Sequence, residues 1–226
     1  MRIRGLMISA VLIGTSLAVL AQGSSQDAIL SLDRLELRNV TAQTSTYQGI
    51  PSLAINDSGK PDVDDASRFA VVRVPWFEDG TIEVMLTGDT APDARPELRG
   101  FVGIAFRVSA DGSQFECFYL RPKNGRSEDQ LRRNHAAQYI SMPGFPWQKL
   151  RTETPGRYEA YVDLIPGAWT RVKIQVKGPS ARLYVNGGEQ PTLVVNDLKQ
   201  APATGGVALW VGPGTIAHFA RLKLTR

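Results

Sequence analysis

The sequence predicts an all-β protein, an antiparallel two-sheet jelly-roll sandwich, and three observations indicate this class. The 226 residues include 21 glycines and 14 prolines, a content that suits a fold with many turns. Short runs of β-branched and aromatic residues recur between turn residues, and no long segment has an apolar period of 3.6 residues. The length is sufficient for one large β domain to bury a core between two sheets.

The N-terminal segment has the pattern of a secretory signal peptide. A basic start at Arg2 and Arg4 precedes an apolar run over residues 6–20, which is short for a membrane span. We therefore predict a signal peptide over residues 1–23, cleaved near Gln22 or Ser24, and a secreted or periplasmic protein with no stable membrane span after cleavage. An uncleaved N-terminal anchor is the alternative.

Charge and cysteine content exclude several classes of function. The formal net charge is +4, and loss of the two arginines of the leader lowers it further. Binding to nucleic acid needs a concentrated basic face with stacking aromatic residues, so we expect no nucleic-acid partner. The single cysteine, Cys117, excludes an internal disulfide bond, and the two histidines make a Cys/His zinc site unexpected.

The expected strands follow one another along the chain after a leader or edge strand at residues 24–45. Residues 46–226 form the jelly-roll domain, because no linker or repeat divides them. The Asp111-Gly112 turn predicts a hairpin between two of the strands. The strands are expected at 69–74, 81–86, 101–108, 114–121, 158–164, 170–176, 181–185, 192–195, 207–211 and 216–224. Alternation of apolar and polar residues predicts core positions at Val172, Ile174, Leu183, Val185, Leu209 and Val211.

One long connection, residues 121–147, is dense in polar and charged groups. Ser127 and Gln130 resemble a capping box, which predicts a short helix over residues 128–134. Residues 136–141 are expected to form a further strand. A connection of this length inside a compact sandwich is more often functional than structural. The alternative is a solvated loop whose arginines pair with Glu128 and Asp129.

The C-terminal half carries four runs in a recognisable order: W-x-R-V-K-I-x-V from Trp169, L-Y-V-N-G from Leu183, G-G-V-A-L-W-V-G from Gly205 and F-A-x-L from Phe219. This order resembles the closing strands of concanavalin A-like lectin/glucanase domains. Within that superfamily it looks most similar to the laminin-G-like and 3-keto-disaccharide hydrolase-like (DUF1080) branch found in secreted bacterial proteins. The runs Gly103–Arg107 and Phe118–Arg121 are similar to the central hairpin of that branch. The resemblance covers residues 81–224 and implies the fold, which hosts lectins, glucanases and adhesion modules.

The residue types of the 121–147 segment suit a carbohydrate ligand. Planar polar side chains pair with sugar hydroxyls, and aromatic rings cover the apolar face of a sugar. We expect Phe145 to offer a further stacking face. The predicted ligand-binding residues face one groove and are Arg121, Asn124, Arg126, Gln130, Arg133, Asn134, Gln138, Tyr139 and Trp147.

The sequence leaves catalysis open. Glycoside hydrolysis normally needs two carboxyl groups, and the Glu-x-Asp-x-x-Glu alternation of the glucanase branch is absent. The candidate catalytic residues are His135 as an acid/base, Asp129 and Glu116. Other carboxylates that could complete a pair are Glu128, Glu153, Glu159 and Asp163. A sugar-binding domain is the first hypothesis; a hydrolase or lyase acting on a 3-keto disaccharide and a protein-interaction scaffold are the alternatives.

The remaining candidate features have structural interpretations. Four aspartates in one loop, Asp57, Asp62, Asp64 and Asp65, could hold calcium, but their spacing differs from a dedicated calcium loop, so we expect no cofactor. Cys117 is expected to be a buried packing thiol. The three tryptophans in or beside strands are expected in the core: Trp76, Trp169 and Trp210. Oligomeric state has no signal in the sequence.

Overall fold

The computed structural model describes residues 25–27, 30–59 and 67–226, and within them the strands form two antiparallel sheets. The first sheet contains β1 (Ser25–Asp27), β3 (Val40–Tyr47), β4 (Ile50–Asp57), β6 (Gly80–Thr90), β11 (Thr170–Lys177), β12 (Ser180–Val185), β13 (Leu193–Val195) and β15 (Thr215–Thr225). The second contains β2 (Leu35–Arg38), β5 (Phe69–Phe77), β7 (Val102–Val108), β8 (Phe115–Leu120), β9 (Ala137–Met142), β10 (Glu159–Ala160) and β14 (Gly205–Val211). The predicted two-sheet sandwich is confirmed.

The strand orders show the non-sequential pairing expected of a jelly roll. The first sheet runs β13-β12-β11-β6-β15-β4-β3, with β1 paired to part of β15. The second sheet runs β10-β9-β8-β7-β14-β5-β2. Two short helices, α1 (Gln130–Asn134) and α2 (Trp147–Glu153), and two 3-10 turns (Leu32–Arg34 and Pro122–Asn124) lie in the connections.

Alternation along the strands places the core between the two sheets. In β11, Val172, Ile174 and Val176 are buried while the residues between them face outward. Leu183 and Val185 extend the same core from β12, and Leu209 and Val211 meet them from the opposite sheet; all are buried. The predicted core residues are confirmed.

The second sheet is also covered on its outer face, where a second apolar cluster forms. Phe69, Ala105 and Cys117 belong to it together with Tyr119 and Trp210. The expected buried thiol is confirmed, since Cys117 is fully buried. This sheet therefore lies between two apolar layers, whereas β11 of the first sheet alternates between buried and exposed residues.

The structure corrects several expectations about individual elements. The segment 158–164 forms only the two-residue strand β10, and β4 and α2 were missed. Most of β3 lies in the 24–45 segment expected to be a leader or edge strand, and its polar sequence, VTAQTSTY, suits an edge strand. The side chain of Trp76 is 56% exposed, so this tryptophan is not in the core; Trp169 is half-buried.

Residues near the predicted leader form edge strands. Strand β2 is the edge of the second sheet and β3 is the edge of the first, and β3 crosses the boundary suggested at residue 45. The predicted signal peptide at residues 1–23 lies outside the described residues. Across the described part of the chain, no helix is both long and apolar enough to cross a membrane.

Candidate functional site

A groove lies over the outer face of the second sheet and consists of two adjoining cavities. The aromatic half, of about 470 Å³, is lined by Phe101, Tyr119, Trp147 and Trp210 among others. The arginine half, of about 370 Å³, shares Phe101, Trp147 and Pro213 with it. The arginine half adds six basic side chains: Arg95, Arg99, Arg121, Arg132, His135 and Arg151. Because they share three wall residues, the two cavities form one continuous surface.

The outward positions of two strands form the floor of the aromatic half. Tyr119 of β8 is 2% exposed and Trp210 of β14 is 4% exposed, with 4.8 Å between their ring centroids. Phe101 meets Tyr119 edge to face at 6.1 Å. Trp147, the first residue of α2, completes the wall, and both it and Phe101 are partly exposed. Of the four rings, those of Phe101 and Trp147 are the more exposed.

Arg121 joins Tyr119, in the floor of the groove, to Gln138 of the neighbouring strand β9. Its guanidinium donates to the hydroxyl of Tyr119 at 2.7 Å, to the carbonyl of His135 at 2.9 Å and to Oε1 of Gln138 at 3.1 Å. The same group lies 4.9 Å from the centroid of Tyr119 and 5.8 Å from that of Trp147. Burial lowers the pKa of Arg121 and raises the pKa of Tyr119 to about 12.

A buried carboxylate, Glu159, joins the basic side chains of the arginine half. Its oxygens lie 3.1 Å from Nε of Arg151, 3.4 Å from Nε2 of His135 and 3.6 Å from Nη1 of Arg121. Burial lowers the pKa of His135; Glu159 opposes this effect and the two arginines add to it. His135 is therefore harder to protonate than an exposed histidine, and its imidazole is available as a hydrogen-bonding group.

The structure brings only part of the predicted ligand-binding set into the groove. Arg121, Asn124 and Trp147 line it, and the predicted acid/base His135 lies beside them. Four others lie on the surrounding surface and contact their neighbours. Arg126 pairs with Asp163, Arg133 lies over the ring of Tyr161, and Gln130 donates to Asn134 within α1.

Three predicted site residues are buried and do not line the groove. Tyr139 faces the core between the sheets, and its hydroxyl donates to Oε2 of Glu116 at 2.5 Å. Oε1 of Glu116 accepts from the amide of Gln200 at 2.9 Å. Gln138 is also fully buried and donates to the backbone carbonyls of Tyr139 and Tyr158. Tyr139, Gln138 and Glu116 therefore support the sandwich and do not face a ligand.

The candidate catalytic residues do not converge. Oδ1 of Asp129 accepts from the amides of Leu131 and Arg132 and caps α1, so the helix begins after Asp129 rather than after Ser127. Glu116 lies on the other side of the second sheet from the groove. The carboxylate beside His135 is Glu159, which the sequence offered as one of several possible partners.

Sequence reasoning missed the groove residues Arg95, Arg99 and Phe101. They lie in or next to the connection between β6 and β7, which spans residues 91–101 and contains two prolines. Its length and its charged residues are the signals that could have identified it, because loops held by rigid sheets carry binding residues.

The possible calcium loop is described only in part. Asp57 accepts hydrogen bonds from Arg68 at 2.9 Å and from the amides of Gly59 and Gly214. The other aspartates of the loop, Asp62, Asp64 and Asp65, lie outside the described residues. Within the residues that the structure describes, no group of three or more His, Cys, Asp or Glu side chains is placed to hold a metal ion.

Comparison with known proteins identifies the fold. No protein-family model and no curated protein matches the chain. Among solved structures, a Bacillus licheniformis β-glucanase is similar with a TM-score of 0.51 at 14% identity, over 92% of this chain and 100% of that one. The carbohydrate-binding module CBM66 from Bacillus subtilis has a TM-score of 0.50 at 12% identity, over 84% and 97% of the two chains.

A third similar structure is a Bacillus subtilis protein of unknown function with a galectin-like fold. Its TM-score is 0.50 at 14% identity, and the match covers 89% of this chain and 94% of that one. Identities this low establish the architecture and leave the function to be argued from the site.

Proposed function

We propose that this chain, which has the concanavalin A-like jelly-roll fold, is a domain that binds a carbohydrate in the groove over its second sheet. One observation carries the proposal: the partly exposed rings of Phe101 and Trp147 line the arginine half of the groove together with five guanidinium groups. Aromatic rings cover the apolar face of a sugar, and guanidinium groups donate to its oxygens.

The similar structures support a sugar ligand in a general way. One is named as a carbohydrate-binding module and another as a β-glucanase, and a third is described by a galectin-like fold. These names describe the three similar proteins and assign no ligand to this chain. For this chain the ligand is proposed from the groove itself, whose aromatic half is the kind of concave, mostly apolar site that binds small ligands.

Binding without hydrolysis is the simpler proposal. Hydrolysis of a glycoside normally uses two carboxyl groups on either side of the bond. Among the described residues that line the groove, Glu97 is the single carboxylate, and it lies 3.2 Å from Nη1 of Arg95. Glu159 lies behind the wall of the groove, where it contacts Arg121, His135 and Arg151.

Substitution of Trp147 tests the binding site. Trp147→Ala should weaken binding to a glycan found on an array by about tenfold, because a stacking ring is lost. Trp76→Ala is the matched control, since Trp76 is an exposed tryptophan of the same sheet outside the groove. Equal losses in the two variants, with unchanged melting temperatures, would place the ligand elsewhere.

Turnover of a 3-keto disaccharide is the second candidate function, which the DUF1080 resemblance implies. The observation that favours it is the pair formed by His135 and Glu159 at 3.4 Å beside the groove. If the chain is such an enzyme, turnover should depend on pH below about 6.5, because burial lowers the pKa of His135 from its ordinary value, and it should disappear in His135→Gln. Absence of turnover with binding intact would leave the first proposal as the function.

Export is part of the proposal. The basic start and the apolar run of residues 1–23 predict cleavage near Gln22 or Ser24 and a secreted or periplasmic protein. N-terminal sequencing of the protein purified from its native source tests this, and an intact Met1 would contradict it.

A further inference from the structure

We propose that the arginine half of the groove binds the carboxylate or sulfate group of an acidic sugar. This inference rests on the proposed carbohydrate-binding function and specifies the class of ligand. It follows from the charge of the cavity, from two arginines with unused hydrogen-bonding capacity, and from the shared wall that connects this half to the stacking rings.

The cavity has an excess of positive charge. Five arginines line it, whereas three carboxylates pair with them. The pairs join Glu97 to Arg95, Asp129 to Arg132, and Glu159 to both Arg121 and Arg151. Even with His135 left out of the count, two positive charges remain without a carboxylate. Such an excess in a concave site attracts an anion.

Arg99 is the arginine without a carboxylate partner. Its Nη1 donates to the carbonyls of Pro96 at 2.6 Å and Leu98 at 2.9 Å, which fixes the guanidinium in place. Among the described residues, no carboxylate lies within ion-pair distance of it. Burial lowers the pKa of Arg99 and the positive charge of Arg132 lowers it further, while Glu97 opposes both effects. Two guanidinium groups thus repel each other at one cavity.

Arg132 contributes the second partly unused guanidinium. It pairs with Oδ2 of Asp129 through Nε at 3.4 Å, a long contact, while Oδ1 of Asp129 caps α1. The planar edge formed by Nη1 and Nη2 makes no hydrogen bond to the described residues. A carboxylate or sulfate accepts two parallel hydrogen bonds from such an edge, and its charge relieves the repulsion between Arg99 and Arg132.

The wall between the halves relates this anion site to the sugar ring. Phe101 and Trp147 line both cavities, so a sugar that stacks on either ring has its substituents next to the arginines. A neutral sugar leaves the excess charge uncompensated, whereas a uronate or a sulfated sugar neutralises it. The same geometry therefore predicts a preference for acidic glycans.

Paired polysaccharides that differ only in charge test the inference. Binding of the chain is measured by affinity electrophoresis and calorimetry on polygalacturonate and its methyl-esterified form, and on dextran sulfate and dextran. We expect at least tenfold tighter binding to one acidic member of a pair, weakened at high salt. The two pairs distinguish a carboxylate from a sulfate.

Variants localise the effect. Arg99→Gln and Arg132→Gln should each lower affinity for the acidic glycan about tenfold. Each should lower affinity for its neutral form by a smaller factor, because a neutral hydroxyl is a weaker acceptor for a guanidinium than a carboxylate or sulfate. Arg182→Gln, an exposed arginine on β12 of the opposite sheet, is the matched control and should change neither. If the Arg99→Gln variant does not fold, the Arg132→Gln variant, changed at an exposed position, still provides the test.

The outcomes separate this inference from the proposed function. Equal affinity for acidic and neutral glycans, with loss of both in Trp147→Ala, overturns the anion site and leaves carbohydrate binding in the groove. An equal loss in Arg182→Gln also overturns it, because binding would then follow the general surface charge. Failure to bind these polymers and every glycan on an array overturns both proposals.

Discussion

At the residue scale, the pair formed by Tyr139 and Glu116 is the most consequential polar contact of the core. The carboxyl of Glu116 is enclosed between the sheets and accepts from a hydroxyl and a backbone amide. Tyr139→Phe should reduce the free energy of unfolding by about 1–3 kcal/mol, because it leaves a buried acceptor unsatisfied. Denaturant unfolding measures this; an unchanged midpoint would contradict the buried contact.

Burial raises the pKa of Glu116 above its usual value, and this predicts a pH dependence of stability. A carboxyl whose pKa is higher in the folded state stabilises the fold below its unfolded pKa and loses that contribution as pH rises through the folded pKa. Wild type should therefore lose stability relative to Glu116→Gln as the pH rises above about 4.3, the ordinary pKa of a glutamate. Parallel unfolding curves of the two proteins across this range would contradict the prediction.

Ile174 tests the predicted core. Its side chain is fully buried in β11, so Ile174→Ala should cost on the order of 2–4 kcal/mol in the free energy of unfolding. Gln175→Ala, at the next and exposed position of the same strand, should change it little. A cost below about 1 kcal/mol for Ile174→Ala in denaturant unfolding would show that the facing of β11 is wrong.

At the element scale, close packing of β7 against β8 depends on Gly103. A Cβ added there would lie 2.2 Å from the carbonyl oxygen of Phe118 and 2.6 Å from Cα of Tyr119, both backbone atoms of β8. Gly103→Ala should therefore push the strands apart and destabilise the fold by about 1–3 kcal/mol. Because Tyr119 is in the groove floor, ligand affinity should fall as well; thermal unfolding and calorimetry check the two effects.

The sequence of a strand predicts which of its side chains point inward only when one of its two faces is exposed. Strand β11 alternates between buried and exposed positions, so its inward residues could be predicted. Every residue of β8 is buried, as are the first five of β9, because apolar layers cover both faces of the second sheet. Their sequences hold no polar alternation, and for this reason Tyr139 was expected on the groove side.

The sequence predicted only the part of the candidate site that lies in the 121–147 connection. Residue types identified Arg121, His135 and Trp147 in the 121–147 segment. The sequence could not show that the 91–101 connection reaches the same groove, because that proximity follows from β7 and β8 pairing beside β14 and β9. Long-range strand pairing is not encoded in local patterns.

At the scale of the whole molecule, the two sheets should differ in local stability. The central strands of the second sheet, β7, β8 and β14, are covered on both faces, while β3 is an edge strand of the first sheet with several exposed positions. Amides of these central strands should exchange most slowly and those of β3 among the fastest, because exchange follows local opening. Hydrogen–deuterium exchange measures the order, and uniform exchange in both sheets would contradict it.

Strand β15 constrains the time at which the protein can fold during its synthesis. It lies between β6 and β4 and also pairs with β1, yet it follows every one of these strands along the chain. The first sheet therefore lacks its middle strand until β15 has left the ribosome, and the pairing of β6 with β15 closes a very long loop, which is slow. The nascent chain therefore stays incompletely folded until residues 215–225 are available to pair.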